Sequence, residues 1–333
     1  MPLLEVCDLS THFFTRAGRL PAVDRVSFHI EPKETLALVG ESGCGKSVTA
    51  ASILRLVPDP PGRIVGGRIV FEGRDLLGLP MSEMRTLRGN RIGMIFQDPM
   101  TSLNPVFPIG DQIIEVIREH RAISRANAEK CALDLLDLVR IPDPRRQIGE
   151  YPHRLSGGMR QRVMIAMAIA CDPALLIADE PTTALDVTTQ AQILELLDEL
   201  KNRLGMAILL ITHDLGIVAE TAQRVVVMYA GRVVEQASVK QLFQNPLHPY
   251  TRGLLNSLPQ PDIEATESGR PPPLKEIAGM VPSLAALPKG CRFAPRCSYA
   301  IDLCKATDVG LESFPDQRSA ACLRIADLTR VVA

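Results

Sequence analysis

An α/β fold built on a mostly parallel sheet is what this 333-residue sequence predicts, and three observations carry that reading. From Leu3 to about Gln236, short β-rich runs alternate with segments of helical period, the pattern of a sheet covered by helices. Three of the runs, Leu175-Leu176-Ile177, Ile208-Leu209-Leu210-Ile211 and Val225-Val226-Val227, are continuously apolar, as strands buried on both faces are. Finally, Gly40-Glu41-Ser42-Gly43-Cys44-Gly45-Lys46-Ser47 fits the phosphate-binding pattern GxxxxGK[ST], in the strand, loop, helix order that pattern requires: Thr35 to Val39 before it, Val48 to Leu56 after it.

The elements follow in chain order. Leu4-Glu5-Val6, Val26-Ser27-Phe28-His29-Ile30 and Arg68-Ile69-Val70-Phe71 approach period-two alternation and are assigned to an antiparallel edge sheet. In the glycine loop, backbone N–H groups close around phosphate oxygens, Lys46 supplies a point charge, and the Ser47 hydroxyl can ligate Mg²⁺. Strands are expected at Arg91 to Phe96, Ala174 to Ala178, Ala207 to Thr212 and Arg224 to Tyr229. Between the first two of these lies a helical insert, about residues 98 to 160, with Ile113, Ile114, Ile117, Ala132, Leu135, Leu136 and Val139 on one face.

The buried run Leu175 to Ala178 delivers Asp179 and Glu180 at its C-terminal end, where ligands bind in open α/β sheets. Asp179 suits the Mg²⁺ shell and Glu180 suits the base for an attacking water. Upstream, Ser156 and the glycines of Leu155-Ser156-Gly157-Gly158-Met159-Arg160-Gln161 are placed to begin a helix, whose N–H groups and dipole form a second anion site. One chain with two phosphate-binding edges fits two subunits that sandwich nucleotide head to tail.

Composition excludes other classes. A net charge of −1 and a pI near 6.6 leave no basic excess to neutralise phosphates, so nucleic acid is not an expected partner. Met1 to Ser10 alternates like a first strand and carries no export signal, and no uninterrupted apolar stretch of about 18 residues occurs. The expectation is a cytoplasmic protein that does not itself cross a membrane. After Gln236 the texture changes: Pro259 to Pro288 reads as a semi-rigid linker, with Pro271-Pro272-Pro273 at its centre.

At Leu155 to Met159 the sequence resembles the ATP-binding cassette family, whose LSGGQ signature stands here with methionine in the fifth place. The resemblance covers essentially the whole chain. It implies a RecA-like parallel core, an antiparallel β subdomain, a helical signature subdomain, and hydrolysis of ATP to ADP and phosphate with Mg²⁺. Gln97 matches the loop glutamine that reaches Mg²⁺ and senses a membrane partner; Thr183-Ala184-Leu185-Asp186 matches the D-loop; His213 matches the switch histidine; Phe13 falls where an aromatic ring stacks on adenine. Val48 closes the ATP-binding loop. Singly, each has a plainer reading: Gln97 a solvated loop residue, Phe13 a sheet-packing ring, His213 a polar strand terminus, Asp186 a helix cap.

A single cassette, with fewer than about 60 residues between Gln97 and Ser156, leaves no room for a long coiled coil of the DNA-maintenance type and points to a transporter motor. Ile95-Phe96-Gln97-Asp98-Pro99-Met100-Thr101-Ser102-Leu103-Asn104-Pro105, His248-Pro249-Tyr250-Thr251 and a cysteine-rich tail look like the dipeptide, oligopeptide and nickel importers, closest to the D-type ATPase subunits of dipeptide permeases. That implies a second, F-type cassette subunit, two transmembrane permease subunits, an extracytoplasmic peptide-binding protein, and a place on the cytoplasmic face of the inner membrane. Nickel or opine cargo, and a soluble scaffold with a metal- or redox-sensing tail, stand as alternatives.

Cys291, Cys297, Cys304 and Cys322 crowd the tail. In a reducing compartment four thiols point to metal before disulfides. Zinc is usually announced by a CxxC knuckle, which is missing; related D-type subunits are thought to carry a [4Fe-4S] cluster here. Iron–sulfur, zinc and free thiols all remain open. The expected division is a cassette over 1–236, an extension and linker over 237–289, and a Cys-rich module over 290–333.

Overall fold

The computed structural model describes residues 1–16, 18–98, 102–183, 185–258 and 276–330, with only the backbone of residues 329 and 330. Pro259 to Lys275, and with it the Pro271-Pro272-Pro273 centre of the expected linker, lies outside the described residues.

The chain opens with β1 (Leu4–Thr15), β2 (Gly18–Ile30), β3 (Thr35–Val39), α1 (Lys46–Ile53), β4 (Gly62–Phe71), β5 (Arg74–Asp75), α2 (Met81–Leu87) and β6 (Ile92–Ile95). A helical stretch follows: α3 (Ile109–His120), α4 (Arg125–Leu138), α5 (Pro144–Gln147) and α6 (Gly157–Ile169). Then come β7 (Leu175–Asp179), α7 (Val187–Leu204), β8 (Ala207–Thr212), α8 (Leu215–Thr221), β9 (Arg224–Tyr229) and β10 (Arg232–Ser238). The rest comprises α9 (Val239–Gln244), α10 (Pro249–Asn256), α11 (Asp302–Ala306), β11 (Glu312–Ser313), β12 (Ser319–Ala320) and α12 (Ile325–Arg330).

Two sheets form. The larger runs β11-β12-β10-β9-β3-β8-β7-β6, and its five strands from β9 to β6 are parallel. Both faces of those strands are buried, which is why their sequences are continuously apolar rather than alternating. In β8, Ala207, Leu209 and Ile211 enter one core while Ile208 and Leu210 enter another; in β7, Leu175 and Ile177 separate from Leu176 and Ala178 in the same way. At the other end of the sheet, Val226 and Met228 of β9 face the first core, whereas Val225, Val227 and Tyr229 face a third.

The N-terminal strands form a separate antiparallel sheet, β2-β1-β4-β5, as expected of an antiparallel β subdomain. It closes over α1, where the Thr11 and Ser52 hydroxyls meet at 2.8 Å. The antiparallel edge of the large sheet is built instead by β10, β12 and β11. The expected apolar face of the insert packs as a unit: Ile113, Ile114, Ile117, Ala132, Leu136 and Val139 are buried with Val163 and Ile165 of α6 and Leu196 and Leu200 of α7.

Candidate active site

The phosphate loop leaves β3, Asp179 ends β7, and His213 follows β8; because β3, β8 and β7 are neighbours in the sheet, all three emerge along one C-terminal edge. Two of the loop's glycines are sterically required. At Gly40 (φ +150°) a Cβ would stand 2.2 Å from the Met228 carbonyl oxygen, and at Gly45 (φ +104°) one would stand 2.3 Å from that of Ala22. Ser42 and Gly43 form the exposed tip, while Cys44, Gly45 and Lys46 are buried behind it. Lys46 donates from Nζ to the Gly40 and Glu41 carbonyl oxygens at 2.8 and 3.2 Å, so its charge sits inside the curl of the loop. Burial pushes the Cys44 thiol up, with Lys46 opposing, so Cys44 acts as a small packing side chain. Val48 packs partly buried against the core beneath the antiparallel sheet.

Ser47 Oγ donates to Asp179 Oδ1 at 3.1 Å, joining the start of α1 to the end of β7. Burial raises Asp179 above the usual carboxylate range; the Ser47 hydrogen bond and Lys46 oppose the shift, and Glu180 adds to it. A desolvated carboxylate paired with a hydroxyl is a donor set that gains from a hard cation, so these residues fit Mg²⁺.

Glu180 adopts φ +46°, unusual for a residue with a side chain, and its N–H donates to the Ile211 carbonyl at 2.9 Å. Its Oε2 accepts from Gln97 Nε2 at 3.1 Å and from Thr183 Oγ1 at 3.0 Å, while His213 Nδ1 stands 3.4 Å from Oε1. Gln97, Glu180 and His213 are therefore brought together. Thr183 reaches Glu180 because of the left-handed turn there, which no sequence spacing signals. His213 is fixed from behind: Asp214 donates its N–H to Thr212 Oγ1 at 3.0 Å and accepts from the Gly216 N–H at 2.7 Å to start α8.

Ser156 caps α6 and accepts from the Met159 N–H at 3.3 Å, with Leu155 buried beside it. A Cβ on Gly158 would lie 2.8 Å from Thr189 Cγ2, against only ordinary contact of Gly157 with Leu185. The signature turn thus packs on the start of α7, which Asp186 caps by accepting from the Thr189 N–H at 3.0 Å and its hydroxyl at 2.7 Å. Those bonds hold the Asp186 carboxyl below its ordinary value. Ala184 of that motif, and Pro99, Met100 and Thr101 after Gln97, lie outside the described residues. Phe13 stands on β1 opposite Leu20 and Gly62, half-buried; its neighbour Phe14 is exposed, under the Arg63 guanidinium at 5.9 Å.

Among the described residues no group of three or more His, Cys, Asp or Glu side chains is disposed to hold a metal ion. Burial raises the thiols of Cys291 and Cys297, and that of Cys322 to about 11; Cys304 adds to all three shifts. The four lie within electrostatic reach of one another, with Cys291 and Cys297 packed partly buried on one apolar core and Cys322 on another.

Residues 23–183 match the ABC transporter family, and residues 234–304 match the C-terminal region of oligopeptide/dipeptide transporters. A probable peptide ABC transporter ATP-binding protein of Sinorhizobium fredii is 57% identical over 97% of this chain and 95% of its own length. The oligopeptide transport ATP-binding protein AppD of Bacillus subtilis is 52% identical over 96% of both chains. Among solved structures, the ATP-binding cassette MJ0796, a dimer in a post-hydrolysis state bound to ADP and phosphate, superimposes with a TM-score of 0.64 at 26% identity, over 71% of this chain and 98% of that one. The shared strand edge, phosphate loop and signature turn are thus those of a known machine: this chain belongs to the ABC transporter family, as an ATP-binding subunit.

Proposed function

We propose that the chain is the ATP-hydrolysing motor subunit of a peptide importer, working as a dimer of cassettes beneath two membrane subunits on the cytoplasmic face of the inner membrane. The observation that carries this is the Ser47 to Asp179 hydrogen bond of 3.1 Å, with Glu180 next in the chain. It gathers a hydroxyl, a desolvated carboxylate and a candidate base at the mouth of one phosphate loop. Peptide as cargo is supported by the relatives, among them the oligopeptide transport ATP-binding protein AppD.

In the proposed reaction, Lys46 and the loop N–H groups hold the phosphates. Glu180 accepts the proton of the attacking water as the γ-phosphoryl passes to that oxygen, leaving ADP and phosphate. Gln97, Thr183 and His213 orient the carboxylate. When bound, Mg²⁺ held by Ser47 and Asp179 neutralises charge on the phosphate oxygens. Phe13 is assigned to adenine, and Ser156, Gly157 and Gly158 to the nucleotide of a second, F-type cassette, with Met159 supplying its N–H to the cap. An apolar groove of about 300 Å³, lined by Leu54, Leu56, Met94, Phe96, Val116 and Met164, is assigned to a segment of a membrane subunit. An extracytoplasmic binding protein would deliver the peptide. No helix among the described residues is long and apolar enough to cross a membrane.

The test is Glu180→Gln in the chain purified from detergent-solubilised membranes. It should co-purify with two polytopic membrane proteins, retain bound ATP and lose peptide uptake. Unchanged turnover would remove Glu180 from its role, and the absence of membrane subunits from the purified wild-type chain would remove the motor reading.

The division into a cassette over 1–236, an extension over 237–289 and a Cys-rich module over 290–333 belongs to the same proposal. For the four cysteines the donor set supports a four-thiolate centre, iron–sulfur before zinc, once the thiols are ionised and drawn together. Anaerobically purified protein should contain iron and labile sulfide and absorb near ~400 nm. Zinc without iron would sink the cluster, and neither metal would sink both.

A further inference from the structure

Glu41, the second residue of the phosphate loop, is held by parts of the chain that lie far beyond the loop in sequence. Its N–H donates to the Tyr250 hydroxyl at 2.9 Å. Its carboxylate accepts two hydrogen bonds from the Arg296 guanidinium, at 2.6 and 3.0 Å, across 255 residues of sequence. Arg296 ends a single 3-10 turn (Ala294–Arg296) next to Cys297, and its side chain is only 5% exposed.

The rest of the guanidinium is equally committed. It donates to the carbonyl oxygens of Ala278 and Ile277 at 3.0 and 3.1 Å and to the Tyr229 hydroxyl at 3.4 Å, and lies 5.8 Å from the Tyr229 ring centre. Beneath it, Tyr229, Tyr250 and Phe293 form a closed aromatic cluster with centroids 4.7 to 5.4 Å apart. The phosphate-binding pattern leaves the second position free, so neither a glutamate nor its partner is explained by phosphate chemistry.

We propose that Arg296 is a positioning residue for ATP: by gripping Glu41, the cysteine-bearing tail holds the phosphate loop in the curled form that receives nucleotide. The proposal rests on the assignment of Gly40 to Ser47 as the ATP loop. Its physical basis is preorganisation. A loop whose N–H groups must converge on phosphate loses conformational freedom on binding, and a bidentate, largely buried fork at its entry removes part of that cost beforehand. The Arg296 side chain makes its hydrogen bonds to Glu41, Tyr229, Ile277 and Ala278 rather than to Lys46, Ser47 or Glu180, so the clamp acts on nucleotide affinity before it acts on the chemical step.

Full-length protein carrying Arg296→Ala, Glu41→Gln or both is titrated with a fluorescent ATP analogue and Mg²⁺, and KM and kcat are measured in the assembled transporter. Each single variant should weaken binding about three- to tenfold and raise KM alike, with kcat within about twofold. The double variant should be no worse than the weaker single, because both break one interaction. Additive losses, or Kd values within about twofold of wild type in Glu41→Gln, would overturn the clamp. If Arg296→Ala fails to fold, the near-isosteric Glu41→Gln decides alone. Lys46→Ala separates this from the underlying assignment: its binding unchanged, the ATP loop is wrong; its binding lost with both other variants normal, only the clamp is wrong.

Discussion

On the β7 and β8 side of the phosphate loop, Glu180 is held by side chains that water can replace: exposed Gln97, Thr183, and a His213 that is 65% exposed. On the β9 side, Glu41 is held by an arginine that is 5% exposed, set against three packed rings. The hydrolytic side has to change partners as water, γ-phosphate and product come and go, and its contacts are cheap to break. The side that only holds the loop has no such need. Exposed hydrogen bonds exchange with solvent at little net cost, whereas a desolvated ion pair cannot be opened without stranding a charge.

The largest effect that could break this contrast is on the chemical step. Glu180→Gln should lower the hydrolysis rate by about 10² to 10⁴-fold while leaving nucleotide affinity intact, since the amide keeps the shape but not the base. Rate assays against analogue binding check the split. On the buried side, Phe293→Ala, removing a ring that is 4% exposed, should cost about 3 kcal/mol in denaturant unfolding. An unchanged midpoint would mean the tail does not brace the β9 end.

The pH prediction sharpens the same side. His248 is buried and neutral; desolvation lowers it from 6.5 to about 3, and its Nδ1 accepts the Tyr250 N–H at 3.1 Å. The unfolded chain therefore binds the proton first, so this group's stabilisation is complete above pH 6.5 and is lost progressively as pH falls towards about 3. Glu235, which accepts the N–H groups of Leu247 and His248 at 2.8 Å each, works the other way, because burial raises it. His248→Gln should lose about 1–2 kcal/mol less than wild type between pH 7 and pH 5, measured by denaturant melts. Identical pH slopes would place the histidine in water. Smallest of all, Thr183→Val should slow hydrolysis only about two- to threefold, as expected where solvent can replace a neutral hydrogen bond.

Which parts could be read in advance follows from how local their causes are. The parallel strands were legible because burial on both faces leaves an unbroken apolar run, as in Ile208 to Ile211. The loop was legible because Gly40 and Gly45 are fixed by close backbone approach. The antiparallel subdomain was only half legible: alternation gave its strands, but nothing in Leu4 to Val6 says whether they join the large sheet or form their own. β11 and β12, two residues each, are too short for any period to register. Arg296 sat in view beside Cys297, yet its partner lies 255 residues away, a distance no spacing rule spans.

The narrow ribbon of β12 and β11 also bears on how the protein is made. The outer edge of β10 pairs with β12 through Glu235 with Ala320 and Gln236 with Ser319, and Val234 accepts the Ala321 N–H at 2.9 Å. During synthesis the nucleotide motifs leave the ribosome long before residue 320 does, and until then β10 presents unpaired N–H and C=O groups that can template wrong pairing. A chain cut at the end of the cassette would keep its ATP motifs and be left permanently in that half-made state.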